Sequence, residues 1–310
     1  MSDTLDLERA LIIGVASSAL FDLSESDAVF RDQGEERYRE YQREHLDDLL
    51  EPGVAFPFIR RLLALNDLSD RERLAEVVIL SRNDPETGMR VMRSVARHGL
   101  DITRAIFMQG RAPYRFMEPL RMSLFLSANE ADVREAISLG FAAGHVVGCA
   151  VPDDGDTDLR IAFDFDGVLA DDSAERVYQS EGLDGYQESE SALAEVPLSR
   201  GPMADFLEKI NRIQRIEESK SADDPSGYRR RVHVAVVTAR SAPAHERAIN
   251  SIRGWGLRVN DAFFLGGLPK GPMLEVLQPH IFFDDQRRNV DGAARSTPSV
   301  HIPFGELNGA

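Results

Sequence analysis

Four short apolar runs in the second half of the chain lead into groups that can do chemistry. LRIAF (159–163) runs into Asp164-Phe165-Asp166-Gly167, HVAVV (233–237) into Thr238, and HIFF (280–283) into Asp284-Asp285, while AFFL (262–265) leads through Gly-Gly-Leu-Pro to Lys270. A buried strand that ends in a carboxylate must find a metal, a cation or water for that charge. Two acidic ends, a hydroxyl and a lysine form a self-consistent set, in which the acids hold a divalent cation while Thr238 and Lys270 hold a phosphoryl group. Mg²⁺ suits such a set, being a hard ion usually held by one or two carboxylates plus phosphate oxygens. Asp164 can then attack phosphorus as a carboxylate nucleophile, giving an aspartyl-phosphate. Asp166 can protonate the leaving alkoxide and afterwards activate water. Singly these residues are ordinary turn, cap and helix-entry residues; their order, each at the end of an apolar run, carries the reading.

The elements that must position them alternate. Strands are expected at 159–163, 233–237, 262–265, 280–283 and 299–302, and helices around 173–181, 202–215, 242–253, 271–277 and 286–294. The helix after HVAVV is expected to open at Thr238-Ala239-Arg240-Ser241, where hydroxyl caps are available. Apolar runs without polar alternation suit strands buried on both faces, and strand–helix alternation implies a parallel α/β sheet with its site beyond the carboxyl ends of the strands.

The chain also contains a second copy of this pattern. At an offset of 148, Leu11, Val29, Gly34, Tyr38, Gly53 and Phe58 meet Leu159, Val177, Gly182, Tyr186, Gly201 and Phe206. Beyond Asn66/Gln214 the offset becomes 157 and holds without a gap from Val77 to Ala136, so that Arg90, Ser94, Gly99, Phe107 and Phe125 meet Arg247, Ser251, Gly256, Phe264 and Phe282. One nine-residue insertion near SKSADDPSGY (219–228) accounts for the change. The chemical groups do not repeat. Asp164, Asp166, Thr238, Lys270, Asp284 and Asp285 are met by Ala16, Ser18, Ser81, Pro113, Ser127 and Ala128. We expect two related domains, 1–150 without catalytic groups and 151–310 with them, joined by an acidic linker at Pro152–Asp158. The first is expected to complete the substrate site, bind a ligand or supply an oligomer interface.

Composition bounds the rest. The 310 residues are 43% hydrophobic and 28% charged, as in globular chains, with a net charge of −16. That charge argues against a nucleic-acid polymer or an anionic membrane as partner. No run approaches the ~18 apolar residues of a membrane span, and the acidic start MSDTLDLERA has the wrong charge for a secretory signal. A single cysteine, Cys149, leaves no intrachain disulfide, and the seven histidines show no metal spacing. The expected compartment is the cytoplasm.

FDFDGVLADD (163–172), VVTARS (236–241), Lys270 and FFDDQ (282–286) resemble the four motifs of the haloacid-dehalogenase-like phosphatases. Almost the whole chain is similar to the cytosolic type I 5′-nucleotidases, most tellingly at VVTARSAPAHERAINSIRGWGL (236–257) and FFLGGLPKGPMLEVLQPHIFFDDQ (263–286). The resemblance implies a Rossmannoid α/β sheet with a small cap at about 170–232. It implies Mg²⁺-dependent hydrolysis of a nucleoside 5′-monophosphate, AMP or a relative, by a homo-oligomer. By the same resemblance Asp164 is the nucleophile and Asp166 the acid–base. Thr238, Ala239 and Lys270 bind phosphate; Asp164, Asp166 and Asp284 bind the metal, and Asp285 supports them. Phe165 and Gly167 stand where the type I pattern tends to a small residue and alanine, a form commoner in the wider superfamily. Within the cap, Tyr178 and Tyr186 are placed either to stack on a base or to pack in the core. The covalent intermediate admits transfer to a second nucleoside as well as to water, so a phosphotransferase or another small-molecule phosphomonoesterase remains the alternative. A nucleotide-sensing protein in which both copies only bind is a third reading, disfavoured by the complete acid–lysine set.

Overall fold

The computed structural model describes residues 5–148, 155–224, 227–305 and 308. Cys149 and the first three residues of the expected linker at 152–158 lie outside them, as do 225 and 226 in the polar stretch at 219–228. The chain divides between Val146 and Val147 into two compact units.

In the first unit, β1 (Leu11–Val15), α1 (Ser17–Leu20), α2 (Ser24–Glu44), α3 (Phe56–Ala64), β2 (Ala75–Ser81), α4 (Gly88–Arg97), β3 (Arg104–Phe107), β4 (Leu124–Ser127), α5 (Glu130–Ser138) and β5 (Ala143–Val147) follow one another. The strands pair in parallel in the order β3-β2-β1-β4-β5. The second unit continues with β6 (Leu159–Phe163), α6 (Ser173–Ala192), α7 (Ala204–Asp223), β7 (Val232–Thr238), α8 (His245–Gly254), β8 (Asp261–Phe264), α9 (Gly271–Leu277), β9 (Ile281–Asp284), α10 (Arg287–Ala293) and β10 (Ser299–His301). Its strands pair in parallel as β8-β7-β6-β9-β10, the same order one copy later. All five expected strands of this copy fall within one residue of their places.

The central strands are buried on both faces, and the edge strand β8 is half-buried. Phe163 of β6 stacks on Phe283 of β9 at 5.2 Å, and Phe206 of α7 closes on both rings. Phe206, Leu207, Ile210 and Ile213 bury the apolar stripe of α7, so this helix belongs to the layer packed on the sheet. Its last turns absorb part of the polar stretch at 219–228: α7 has 20 residues where its counterpart α3 has 9. Helix α6 runs past the expected end at 181 and bends at Gly182, whose φ of 72° and ψ of −168° interrupt the helix. Gly34 bends α2 at the matching place. The helix expected to open at Thr238 instead starts at His245. The residue before a proline avoids the α region, and Ala242 precedes Pro243, so residues 239–244 stay a loop at the strand end.

Candidate active site

Strand β6 ends by delivering Asp164 into a buried crevice, where the Asp164 N–H donates to the Phe283 carbonyl (2.8 Å). Its Oδ1 accepts the N–H of Phe165 (2.7 Å), which fixes the carboxylate plane against the backbone. The Lys270 ammonium, at the N-cap of α9, lies 2.7 Å from Asp164 Oδ2 and 2.6 Å from Asp284 Oδ2. Asp284, at the end of β9, also accepts from the Gln286 N–H (2.8 Å) and from Asn289 Nδ2 (3.1 and 3.2 Å). The backbone carbonyl of Asp285 accepts from Asn308 Nδ2 (3.0 Å) and contacts His301 Nε2 (2.9 Å), which holds the loop after β9 in place. Thr238, buried at the end of β7, accepts the Arg240 N–H on its hydroxyl (3.2 Å).

Burial dominates the electrostatics. It lifts the Asp164 carboxyl to about 7, with Lys270 pulling it down and Asp284 pushing it up. It lifts Asp285 further, to about 9, with Asp164 and Asp284 adding their repulsion. Burial alone would lower Lys270, but Asp164 and Asp284 hold its ammonium above the ordinary lysine value.

Asp166 lies apart from this cluster by its side chain. Its Oδ1 and Oδ2 accept a bidentate pair from Arg240 Nη2 (2.6 Å) and Nε (2.8 Å). Arg240 is buried; its Nη1 donates to Glu190 of α6 and to the Ala244 carbonyl (3.0 Å). Its guanidinium lies 5.0 Å from the Phe165 ring and 5.8 Å from the Tyr186 ring. Glu190 is also held by Arg247 Nη1 (2.6 Å). Asp164, Asp166, Thr238, Ala239, Arg240 and Tyr186 line a cavity of about 350 Å³, the size of a small-ligand site. A neighbouring cavity of about 210 Å³ shares Asp166, Glu175 and Gln286 with it and reaches Gly167 and Asp285. Tyr178 and Tyr186 meet edge to face at 6.0 Å on the wall of the larger one.

The model of the 5′-nucleotidase family matches residues 3–309. The chain belongs to the 5′-nucleotidase family. It is 34% identical over 295 residues to cytosolic 5′-nucleotidase 1B of Homo sapiens, across 93% of this chain and 48% of that protein. The chain thus spans about half the length of that relative. No solved structure matches it. Among the described residues no helix is long and apolar enough to cross a membrane.

A family of this kind implies a divalent metal, and the crevice fits one. Asp164, Asp284 and Asp285 each offer an oxygen, all within 4.8 Å of one another. Lys270 is the cation set between Asp164 and Asp284, and Asp285 Oδ1 is buried with no hydrogen-bond partner among the described residues. Three carboxylates against one ammonium, with an orphaned oxygen, suit a hard divalent cation. Gly167 keeps the approach open: with φ at +72°, an added Cβ there would meet Asp285 Oδ2 at 2.5 Å.

Of the residues singled out in the sequence, the structure gathers Asp164, Lys270, Asp284 and Asp285 in one crevice and sets Thr238 and Ala239 on the cavity wall. The acidic cluster contains the Asp285 side chain, whereas the Asp166 carboxylate is engaged by Arg240. Arg240, Glu190 and Arg247 were not read as site residues. The signal was there in the repeat: Asn83 stands opposite Arg240 and Gln42 opposite Glu190, a loss of charge parallel to that of the aspartates.

Proposed function

We propose that the chain is a Mg²⁺-dependent phosphoric monoester hydrolase that converts nucleoside 5′-monophosphates, AMP or a relative, to nucleoside and phosphate. What carries the reading is the Asp164–Lys270–Asp284 contact at the end of β6 and β9, beside a cavity of ligand size, in a chain of the 5′-nucleotidase family. The relative's name places that protein in the cytosol, and the same compartment is assigned here.

An Asp164 oxygen attacks phosphorus, and the bond from phosphorus to the 5′ oxygen breaks. Asp166 gives its proton to the departing alkoxide, completing the nucleoside. A water then attacks the aspartyl-phosphate, Asp166 takes its proton, and the bond from phosphorus to the Asp164 oxygen breaks to release phosphate. Lys270 offsets the charge of Asp164 and Asp284 and, with Thr238 and the backbone at Ala239, receives the phosphoryl oxygens. Asp164, Asp284 and Asp285, with the backbone at Asp166, would hold Mg²⁺, which when bound withdraws negative charge from those oxygens. Of the segment 170–232 expected to form the small cap, the bent helix α6 serves as the cap, with Tyr178 and Tyr186 facing the cavity, while α7 packs on the sheet; the fold is of the haloacid-dehalogenase type. The first unit is a non-catalytic relative of the second, because it has no carboxylate at 16, 18, 127 or 128.

A panel of nucleoside monophosphates, assayed for phosphate release, tests the reading. Turnover of at least one with Mg²⁺, lost in EDTA and restored by added Mg²⁺, is the expected result. Failure to release phosphate from every nucleotide and from p-nitrophenyl phosphate would overturn it.

A further inference from the structure

The chain Asp166–Arg240–Glu190–Arg247, buried except at the cavity-facing Asp166, exceeds what holding the fold requires, and the first unit shows why. There Tyr38 of α2 stands for Tyr186, Gln42 for Glu190, Asn83 for Arg240, Arg90 for Arg247 and Ser18 for Asp166. The structural contacts survive the exchange. Arg90 Nε donates to the Asp48 carbonyl (3.1 Å) as Arg247 Nε donates to the Val196 carbonyl (2.9 Å). Arg90 Nη1 reaches Gln42 Oε1 (3.5 Å) as Arg247 Nη1 reaches Glu190 (2.6 Å). Ser94 and Ser251 accept the N–H groups of Leu50 and Leu198 in the same way (3.1 and 2.9 Å). Arg90 is thus the one charged member of this set, with Gln42 and Asn83 neutral beside it.

A bent helix therefore seats on this sheet with neutral Gln42 and Asn83. The buried Glu190–Arg240 pair is costly to desolvate and adds little stability over a neutral one. It is present only in the unit that has Asp166 to hold. Arg240 makes both of its contacts with Asp166 through a planar fork, which fixes the carboxylate in orientation as well as in distance. Glu190 in turn orients that fork from the far half of α6, beyond the bend at Gly182.

We infer that Arg240 is a positioning residue for Asp166 and that Glu190, by orienting Arg240, ties the placement of that acid–base to the seat of α6. This rests on the role given to Asp166 under the proposed function. Misplacing a reacting group by ~1 Å costs about 100-fold, and Arg240 sets such a placement. The consequence differs between substrates. A nucleoside leaves as an alkoxide that needs a proton, whereas p-nitrophenolate leaves without one. Loosening Asp166 slows both half-reactions with AMP but only the second with p-nitrophenyl phosphate.

The test is Arg240→Asn in the full chain, assayed on both substrates beside Asp166→Asn, Arg240→Lys and the double variant Arg240→Asn/Glu190→Gln. The expected result is a kcat lowered about 10- to 100-fold on both substrates with KM within about threefold. A burst of p-nitrophenol larger than the native enzyme's is expected, together with partial rescue by Arg240→Lys. Combining Arg240→Asn with Asp166→Asn should add no further loss, because the two act as one unit. The double variant copies the neutral set that the first unit already folds around and is expected to fold. Losses confined to KM, an unchanged burst, losses that multiply with Asp166→Asn, or a double variant that does not fold would each overturn the inference. The two readings fail separately. A fully active Asp166→Asn enzyme removes the role of Asp166 itself, whereas a crippled Asp166→Asn beside a native-like Arg240→Asn removes only this step.

Discussion

The two units share a strand order, a bent helix at Gly34 or Gly182 and buried phenylalanines at matched places, yet differ where their strands end. β6 runs into Asp164 and β9 ends in Asp284, while at the corresponding places β1 runs into Ala16 and β4 ends in Ser127. The loops after β3 and β8 make the same turn: Gly110 and Gly267 have φ of 80° and 84° and donate to the carbonyls of Arg82 and Ala239. What differs is the charge within that frame. The scaffold is thus indifferent to the chemistry, and the aspartates of the second unit carry a burden the fold does not need. Asp164, Asp284 and Asp285 are buried and crowded, and burial lifts the carboxyls of Asp164 and Asp285, as in groups kept for reactivity.

Phe58 and Phe206 give the sharpest test that the frames are equivalent. Both are fully buried on the matched helices α3 and α7. Truncation of either to alanine is expected to cost about 3–5 kcal/mol, transfer and cavity terms together. Equilibrium denaturation of the two variants checks it, with each unit's transition followed separately, since two units need not unfold as one. A large cost in one unit and a small one in the other would break the equivalence.

A smaller effect belongs to the second unit alone. In the fold Asp285 and Asp164 hold protons more tightly than an ordinary carboxyl near 3.8. The folded chain then binds more protons than the unfolded one between about pH 4 and 9, and these two groups withdraw stability as pH rises through that window. Replacing Asp285 with Asn should flatten the fall of Tm with pH in EDTA. Mg²⁺, which displaces those protons, should raise the native Tm more at about pH 8.5 than at about pH 5.5. Parallel Tm profiles for the native chain and Asp285→Asn would contradict the crowding.

Much of this was legible in the sequence because it is local. Apolar runs without alternation mark β6, β7 and β9 to within a residue, and a carboxylate or hydroxyl directly after such a run must lie at the sheet's carboxyl edge. The pairing of Arg240 with Asp166 and Glu190 was not legible, for it joins residues 74 and 50 positions apart. The helix opening was placed too early, at Thr238, because its hydroxyl accepts the Arg240 N–H as a cap does, while Ala242-Pro243 keeps 239–244 out of the helix. The length of α7 was hidden by its polar last turns, which read as loop although the helix continues through them.

The central claim is that phosphoryl transfer runs through Asp164 and that the first unit takes no part in it covalently. Acid-quenching Asp166→Asn during turnover of p-nitrophenyl phosphate, followed by peptide mapping by mass spectrometry, tests it most directly, because slowing the second half-reaction leaves the covalent intermediate in place. One phosphoryl group per chain, on the peptide containing Asp164 and absent when Asp164→Asn is added, is the predicted result. A phosphoryl group on any other residue, in either unit, or turnover persisting in the Asp164→Asn protein, would contradict it.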